Sequence, residues 1–186
     1  GATVAAGLGQ KCYSFDGVDD KITTPLTRQF LGTNYSLSVW SNFKGLATDH
    51  YRAIIGGQDT ASEFFLGKNS GNLNLGWQDG DYFNNVGTNQ VPIDTYKFYT
   101  VVREGNSGRI YIDGTFVSSV NFSTSCNNSE QIIIGLESEG NFYWKGNIQD
   151  VRRYNRPLTP EEVLTNYDIT RPDGTKMKLG ANGTTY

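Results

Sequence analysis

The strongest constraint in this chain of 186 residues is a rhythm. Short runs rich in aromatic and β-branched residues return about every ten positions, each closed by glycine or a polar turn. That spacing marks a β-sandwich or barrel. The runs read KCYSF, YSLSVWSNF, YRAIIGG, SEFFLG, NLNLGW, YKFYTVVRE, GRIYIDGTFVSSV, EQIIIG and GNIQDVRRY. In the second run, alternation puts Leu37 and Val39 on one face. Trp40, set among these strand residues, is expected in the core, sharing an interior with Val101. Trp144, just ahead of Gly146, is expected to pack across one end of the sandwich. Two strands flank Asp113-Gly114, the dipeptide favoured in a two-residue hairpin turn that needs positive φ.

Composition agrees. The 22 glycines supply turns, and 11 Tyr and 10 Phe suit pleated, half-buried surfaces. Only LTPEEVLTNY reads helical, with Thr159 as N-cap, Pro160 at the first helical position and Glu162 closing a capping box. About two turns are expected. Residues 1–11 read as a linker or arm, 12–167 as one domain, and 168–186 as a loosely packed tail or an extension toward a partner. The fold class that follows is all-β, a sandwich or barrel with one short helix near its end.

Charge excludes little but helps. With 16 basic and 19 acidic residues, nothing points to a nucleic-acid partner. No apolar window is long enough for membrane insertion as a helix. Two cysteines, Cys12 and Cys126, are too few for a disulfide framework; they either pair across a long loop or stay as thiols. Four N-x-S/T triplets begin at Asn34, Asn121, Asn127 and Asn182, and they carry meaning only in a glycosylating host.

Catalysis has little to stand on. The single His50 sits in a loop, LATDHYR, away from any recognisable nucleophile, and zinc chemistry lacks clustered His and Cys. Glu137 and Glu139 stand in an i, i+2 relation but lack a third acid on the same face, so a two-carboxylate glycosidase is the weakest reading.

Two segments carry the binding chemistry. YSFDGVDD crowds Asp16, Asp19 and Asp20 around Gly17, on a turn where backbone carbonyls can converge. Calcium takes six to eight such oxygens, so this is either a cation site or a solvated turn. GWQDGDYFNN sets Trp77 and Tyr82 among Gln78, Asp79, Asp81 and Asn84. These are stacking rings beside hydrogen-bonding groups, the chemistry that holds a sugar. The same residues also suit a strand end and a hairpin loop.

FDGVDDKI, YSLSVWSNF, the strand leading to IYIDGTFV, QIIIG and WKGNIQDVRRYNRPLTPEEV, in that order, resemble the concanavalin A-like lectin/glucanase fold, and within it the laminin G-like domains. The resemblance spans residues 12 to 167. It implies a two-sheet jelly roll and a mostly non-catalytic role, binding glycans or surface proteins, often with calcium, in secreted, cell-surface or virion proteins. It also brings the Asp16 turn near the last strand, so that Asp16 or Asp19 would share an ion with Asp150. The reading is therefore a recognition module for a glycan or surface protein. The rival is a structural or decoration domain that docks with other subunits of a larger assembly.

Overall fold

The computed structural model describes residues 1–7, 11–27, 32–57, 63–69, 73–80, 83–87, 89–123, 131–136 and 142–171. Among the described residues there are thirteen strands: β1 (Thr3–Ala6), β2 (Lys11–Asp16), β3 (Ile22–Thr27), β4 (Asn34–Phe43), β5 (Arg52–Gly57), β6 (Glu63–Asn69), β7 (Asn74–Gly80), β8 (Phe83–Val86), β9 (Tyr96–Glu104), β10 (Ser107–Ile112), β11 (Thr115–Asn121), β12 (Gln131–Ile134) and β13 (Lys145–Tyr154). One helix, α1 (Pro160–Thr170), follows. The strands form two antiparallel sheets, of seven in the order β1-β2-β13-β4-β9-β10-β11 and of six in the order β3-β12-β5-β6-β7-β8. This is the two-sheet jelly roll that the family resemblance implies, and the sandwich rather than the barrel of the two architectures that the strand rhythm allows.

Alternation builds the core. Tyr35, Leu37 and Val39 of β4 and Tyr99 and Val101 of β9 face inward against Ile54, Leu66 and Leu75 of the second sheet. Burial of each aliphatic side chain is worth about 1.5–3 kcal/mol, and this layer is what holds the sheets together. Trp144 closes one end, its ring 5.2 Å from that of Phe43. The β10–β11 turn is as predicted, with Asp113 at φ 52° and Gly114 at φ 76°.

Trp40 departs from expectation. It is buried, but on the opposite face of the sheet from Leu37 and Val39, so it shares no interior with Val101. Its cover is α1. Tyr167 stacks on the indole at 5.7 Å, and Trp40 Nε1 donates to Thr170 Oγ1 at 2.9 Å. Val163 and Leu158 pack with Val102 and Tyr111 in a second, smaller apolar cluster under the helix. The helix therefore runs 11 residues rather than two turns, reaching three positions into the stretch expected as a tail. Its start is as predicted: Thr159 Oγ1 accepts from the Glu162 amide, and Glu162 Oε2 accepts from the Thr159 amide.

The N-terminal residues, expected as a linker or arm, contribute an edge strand, with Thr3 opposite Ser14 and Ala6 opposite Lys11. Cys12 of β2, opposite Ala5 of that strand, is a free buried thiol, while Cys126 falls outside the described residues.

Candidate functional site

Antiparallel topology sorts the loops to two ends of the sandwich. At one end β2 stops at Asp16 opposite Lys145, where β13 begins. Lys44, just past β4, donates its amide to the Lys145 carbonyl at 2.8 Å. The β2–β3, β4–β5 and β12–β13 loops therefore share this rim. The β7–β8 turn lies at the other end, since Gly80 pairs with Glu63 while Asn74 pairs with Asn69.

The two sequence-predicted sites are thus separated, and each is altered. In the acidic turn, carboxylate oxygens of Asp16, Asp19 and Asp20 lie within 4.8 Å of one another. Asp16 Oδ1 accepts from the Val18 and Asp19 amides at 2.7 and 3.3 Å, which pushes its pKa below the usual carboxylate range. Asp20 Oδ2 accepts from the Asp16 amide at 2.8 Å, and its Oδ1 lies 3.2 Å from the Gly1 amine. Gly17 takes φ 82°, and a side chain there would strike Lys145.

Asp150 does not join this cluster. Lys145 is the residue opposite Asp16, and Asp150 lies five positions further along β13, about 15 Å away at strand rise. It sits at φ 53° in a bulge between Gln149 and Arg152, and its Oδ1 accepts from Arg152 Nε at 2.7 Å. The third carboxylate beside Asp16 and Asp19 is that of Asp20.

The predicted ligand patch is largely turned inward. Trp77 is fully buried, edge-on to Phe122 at 4.7 Å and packed over Gly108. Asp79 is buried too, its Oδ2 bonded to Arg103 Nη1 at 2.5 Å and to the Tyr35 hydroxyl at 2.7 Å. Desolvation, then the Asp79 charge, raises the Tyr35 pKa well above the ordinary phenol value. Gln78 is buried and caps its own strand end through the Gly80 carbonyl at 3.0 Å. Neither Trp77 nor Asp79 is offered to a ligand. Asn84 is half-buried opposite Trp77, and Asp81 and Tyr82 lie outside the described residues.

A pocket that sequence reasoning missed opens on the rim that carries the acidic turn. It has a volume of about 270 Å³ and is lined by Thr48, Asp49, His50, Tyr51, Arg52 and Phe142. The Tyr51 and Phe142 rings meet edge-to-face at 5.4 Å. Asp49 Oδ2 lies 3.5 Å from Arg52 Nε and accepts from the Leu46 amide at 3.0 Å. Gly45 permits this fold of the loop, because a Cβ there would lie 2.4 Å from both Asp49 Oδ2 and the Phe43 ring.

Beneath the loop is a buried lysine. Lys68 Nζ donates to the Asp49 carbonyl and to the His50 carbonyl, the latter at 3.3 Å, and stands 5.8 Å from the centre of the Phe43 ring. Burial pulls its pKa below the usual lysine value. The pocket wall is thereby fixed from below by an ammonium group bound to two loop carbonyls. The only local signal for this site was LATDHYR, in which one stretch combines Asp, His, Tyr and Arg. Phe142 is 90 positions away and gave no local sign.

Aromatic rings, a hydroxyl, a carboxylate, an imidazole and a guanidinium surround a shallow cup, which is the lining of a site for a small polar ligand with apolar faces. Glu137 and Glu139 lie outside the described residues.

Comparison with known proteins gives the same fold. The binding domain of Paraclostridial Mosquitocidal Protein 1 superposes with a TM-score of 0.73 at 16% identity, covering 90% of this chain and 45% of that one. The present chain thus spans less than half of that structure. Domain 4 of AbnA, a GH43 extracellular arabinanase from Geobacillus stearothermophilus, solved in complex with arabinotriose, gives 0.70 at 19% identity, covering 88% and 80%. A heptameric SAP-like pentraxin from Limulus polyphemus gives 0.64 at 16%, covering 98% and 93%. No curated protein matches by sequence. A family model for the concanavalin A-like lectin/glucanases superfamily matches residues 16–164, most of the sandwich and the start of its helix, and the chain belongs to that superfamily.

Proposed function

We propose that this domain is a non-catalytic recognition module that binds a glycan at the rim pocket of Tyr51, His50, Arg52 and Phe142. The observation that carries this reading is the pocket itself, an aromatic pair beside Asp49, His50 and Arg52 on a loop pinned by Lys68. Preorganisation of this kind reduces the ordering cost of binding. The arabinotriose complex of AbnA domain 4 and the binding domain of the mosquitocidal protein support a carbohydrate or surface ligand by fold likeness. Asp16, Asp19 and Asp20, on the same rim, are the residues that would hold a calcium ion, a hard cation matched to clustered carboxylates. Such a module acts outside the cell, on a cell surface or on a virion. Among the described residues, no helix is long and apolar enough to cross a membrane.

The test is a glycan array read with calcium and with EDTA, using the protein and its His50→Ala and Tyr51→Ser variants. Selective glycan binding that both variants lose, with melting temperature kept, supports the reading. Absence of glycan binding together with a stable oligomer in solution would support instead a structural domain of a larger assembly.

A further inference from the structure

The outer face of the seven-stranded sheet carries a row of amides beside α1. Backbone register sets the row. Ser14 of β2, Asn147 of β13, Asn42 of β4 and Tyr96 of β9 stand directly opposite one another across four strands. Gln149 lies two positions from Asn147 on the same face, opposite Trp40. Asn42, Asn147 and Gln149 are 6%, 5% and 5% exposed. Ser14 and Tyr96, at the two ends of the row, are half-buried, so the row meets solvent there.

Buried amides ordinarily find hydrogen-bond partners. Among the described residues, no donor reaches Asn42 Oδ1, Asn147 Oδ1 or Gln149 Oε1. In each amide it is the carbonyl oxygen that is shut away without a partner. Three donors close by are committed elsewhere. Asn147 Nδ2 donates to the Tyr96 hydroxyl at 2.9 Å, that hydroxyl to Cys12 Sγ at 3.8 Å, and Trp40 Nε1 to Thr170.

We propose that this row binds a small primary alkylammonium ion. Three buried acceptors call for a group that donates three times and accepts nothing, and an ammonium is such a group. A hydroxyl offers one donor and brings lone pairs of its own. The positive charge suits the place as well. The bond from Trp40 to Thr170 sets the last turn of α1 beside the strand partner of Gln149. That turn holds no basic side chain, and the carbonyl end of a helix favours a cation. Arg171, which follows, lies over the Tyr167 ring at 5.3 Å. The row contains no carboxylate, which suits a monovalent cation better than calcium. It shares no residue with the rim pocket, so this proposal does not rest on the glycan reading.

The experiment is a nuclear magnetic resonance titration of the whole chain, following the side-chain amide signals. The probes are butylammonium, tetramethylammonium, butanol and potassium chloride, in buffer free of other amines. Butylammonium is expected to move the signals of Asn42, Asn147 and Gln149 along one single-site isotherm. It should bind about tenfold or more tightly than tetramethylammonium, which has the charge but no N–H, and than butanol, which has no charge. Gln149→Met and Asn42→Leu each remove one acceptor at similar bulk. Each is expected to weaken butylammonium several-fold while the melting temperature holds or rises, because a buried acceptor without a donor is gone. The proposal is overturned if butylammonium leaves the three amides of the unaltered protein unmoved. It is also overturned if tetramethylammonium or potassium moves them equally well, or if both variants bind butylammonium as the unaltered protein does.

Discussion

Asp79 and Arg103 form an ion pair 2.5 Å long that joins β7 of one sheet to β9 of the other, with both side chains shut away from solvent. The Tyr35 hydroxyl from β4 donates to the same carboxylate at 2.7 Å. The guanidinium also donates through Nε to the Gly105 carbonyl at 2.9 Å and lies 4.4 Å from the centre of the Phe122 ring. Removing one partner strands the other charge in the interior, so Asp79→Ala is expected to cost about 3–5 kcal/mol. Urea unfolding checks this. The double variant Asp79→Leu with Arg103→Met is expected to be more stable than Asp79→Ala; equal or greater destabilisation would show that the pair is favourable in itself.

Trp77 is the second interior residue drawn from the predicted ligand patch. Its truncation opens a void beside Phe122 and Gly108, and Trp77→Ala is expected to destabilise by about 3–5 kcal/mol. The measurement is a thermal or denaturant midpoint. A variant that keeps its midpoint but loses ligand affinity would restore Trp77 to a binding role.

Calcium is expected to raise the melting temperature through Asp16, Asp19 and Asp20. At a hundredfold excess over Kd, the linkage is worth about 2.7 kcal/mol, or a shift of roughly 5 °C or more. Asp20→Asn keeps an acceptor for the Asp16 amide while removing one charge, and should abolish most of the shift. Differential scanning calorimetry with calcium and with EDTA decides; identical curves would remove the ion from the reading.

The helix start carries a pH signature. Arg156 binds both Glu162 oxygens at 2.7 Å and, with the Thr159 amide, holds the Glu162 pKa down to about 2. A carboxylate lowered on folding contributes stability that is complete above its ordinary pKa near 4.5 and is lost as pH falls toward 2. Glu162→Gln is therefore expected to lower the melting temperature at pH 7, with the difference fading between pH 4.5 and 2. Thr159→Ala, which removes the other half of the box, should cost about 1 kcal/mol at any pH.

Local chemistry was legible in the sequence and non-local chemistry was not. Asp113-Gly114 and the Thr159 capping box are contained within four residues each, and both are found as predicted. Trp40 was expected to share an interior with Val101, but it is buried under α1, 120 residues later, which gives the sheet a second dry side that alternation alone does not announce. Asp79 looked like a surface acid because its partner, Arg103, is 24 positions away on the facing sheet. The rim pocket needed Phe142 to arrive beside Tyr51, and the Asp150 bulge needed register with β4, which no single strand encodes.

Lys68 has a kinetic consequence. A loop whose carbonyls are tied to a buried ammonium has no cheap second shape, since opening it would bare two acceptors and a cation together. Ligand would therefore meet a finished surface, and association should follow a single exponential whose rate rises linearly with ligand concentration. Lys68→Met keeps the apolar stem but unties the loop. It should introduce a slow, concentration-independent step in stopped-flow traces, the mark of a surface that must first find its form.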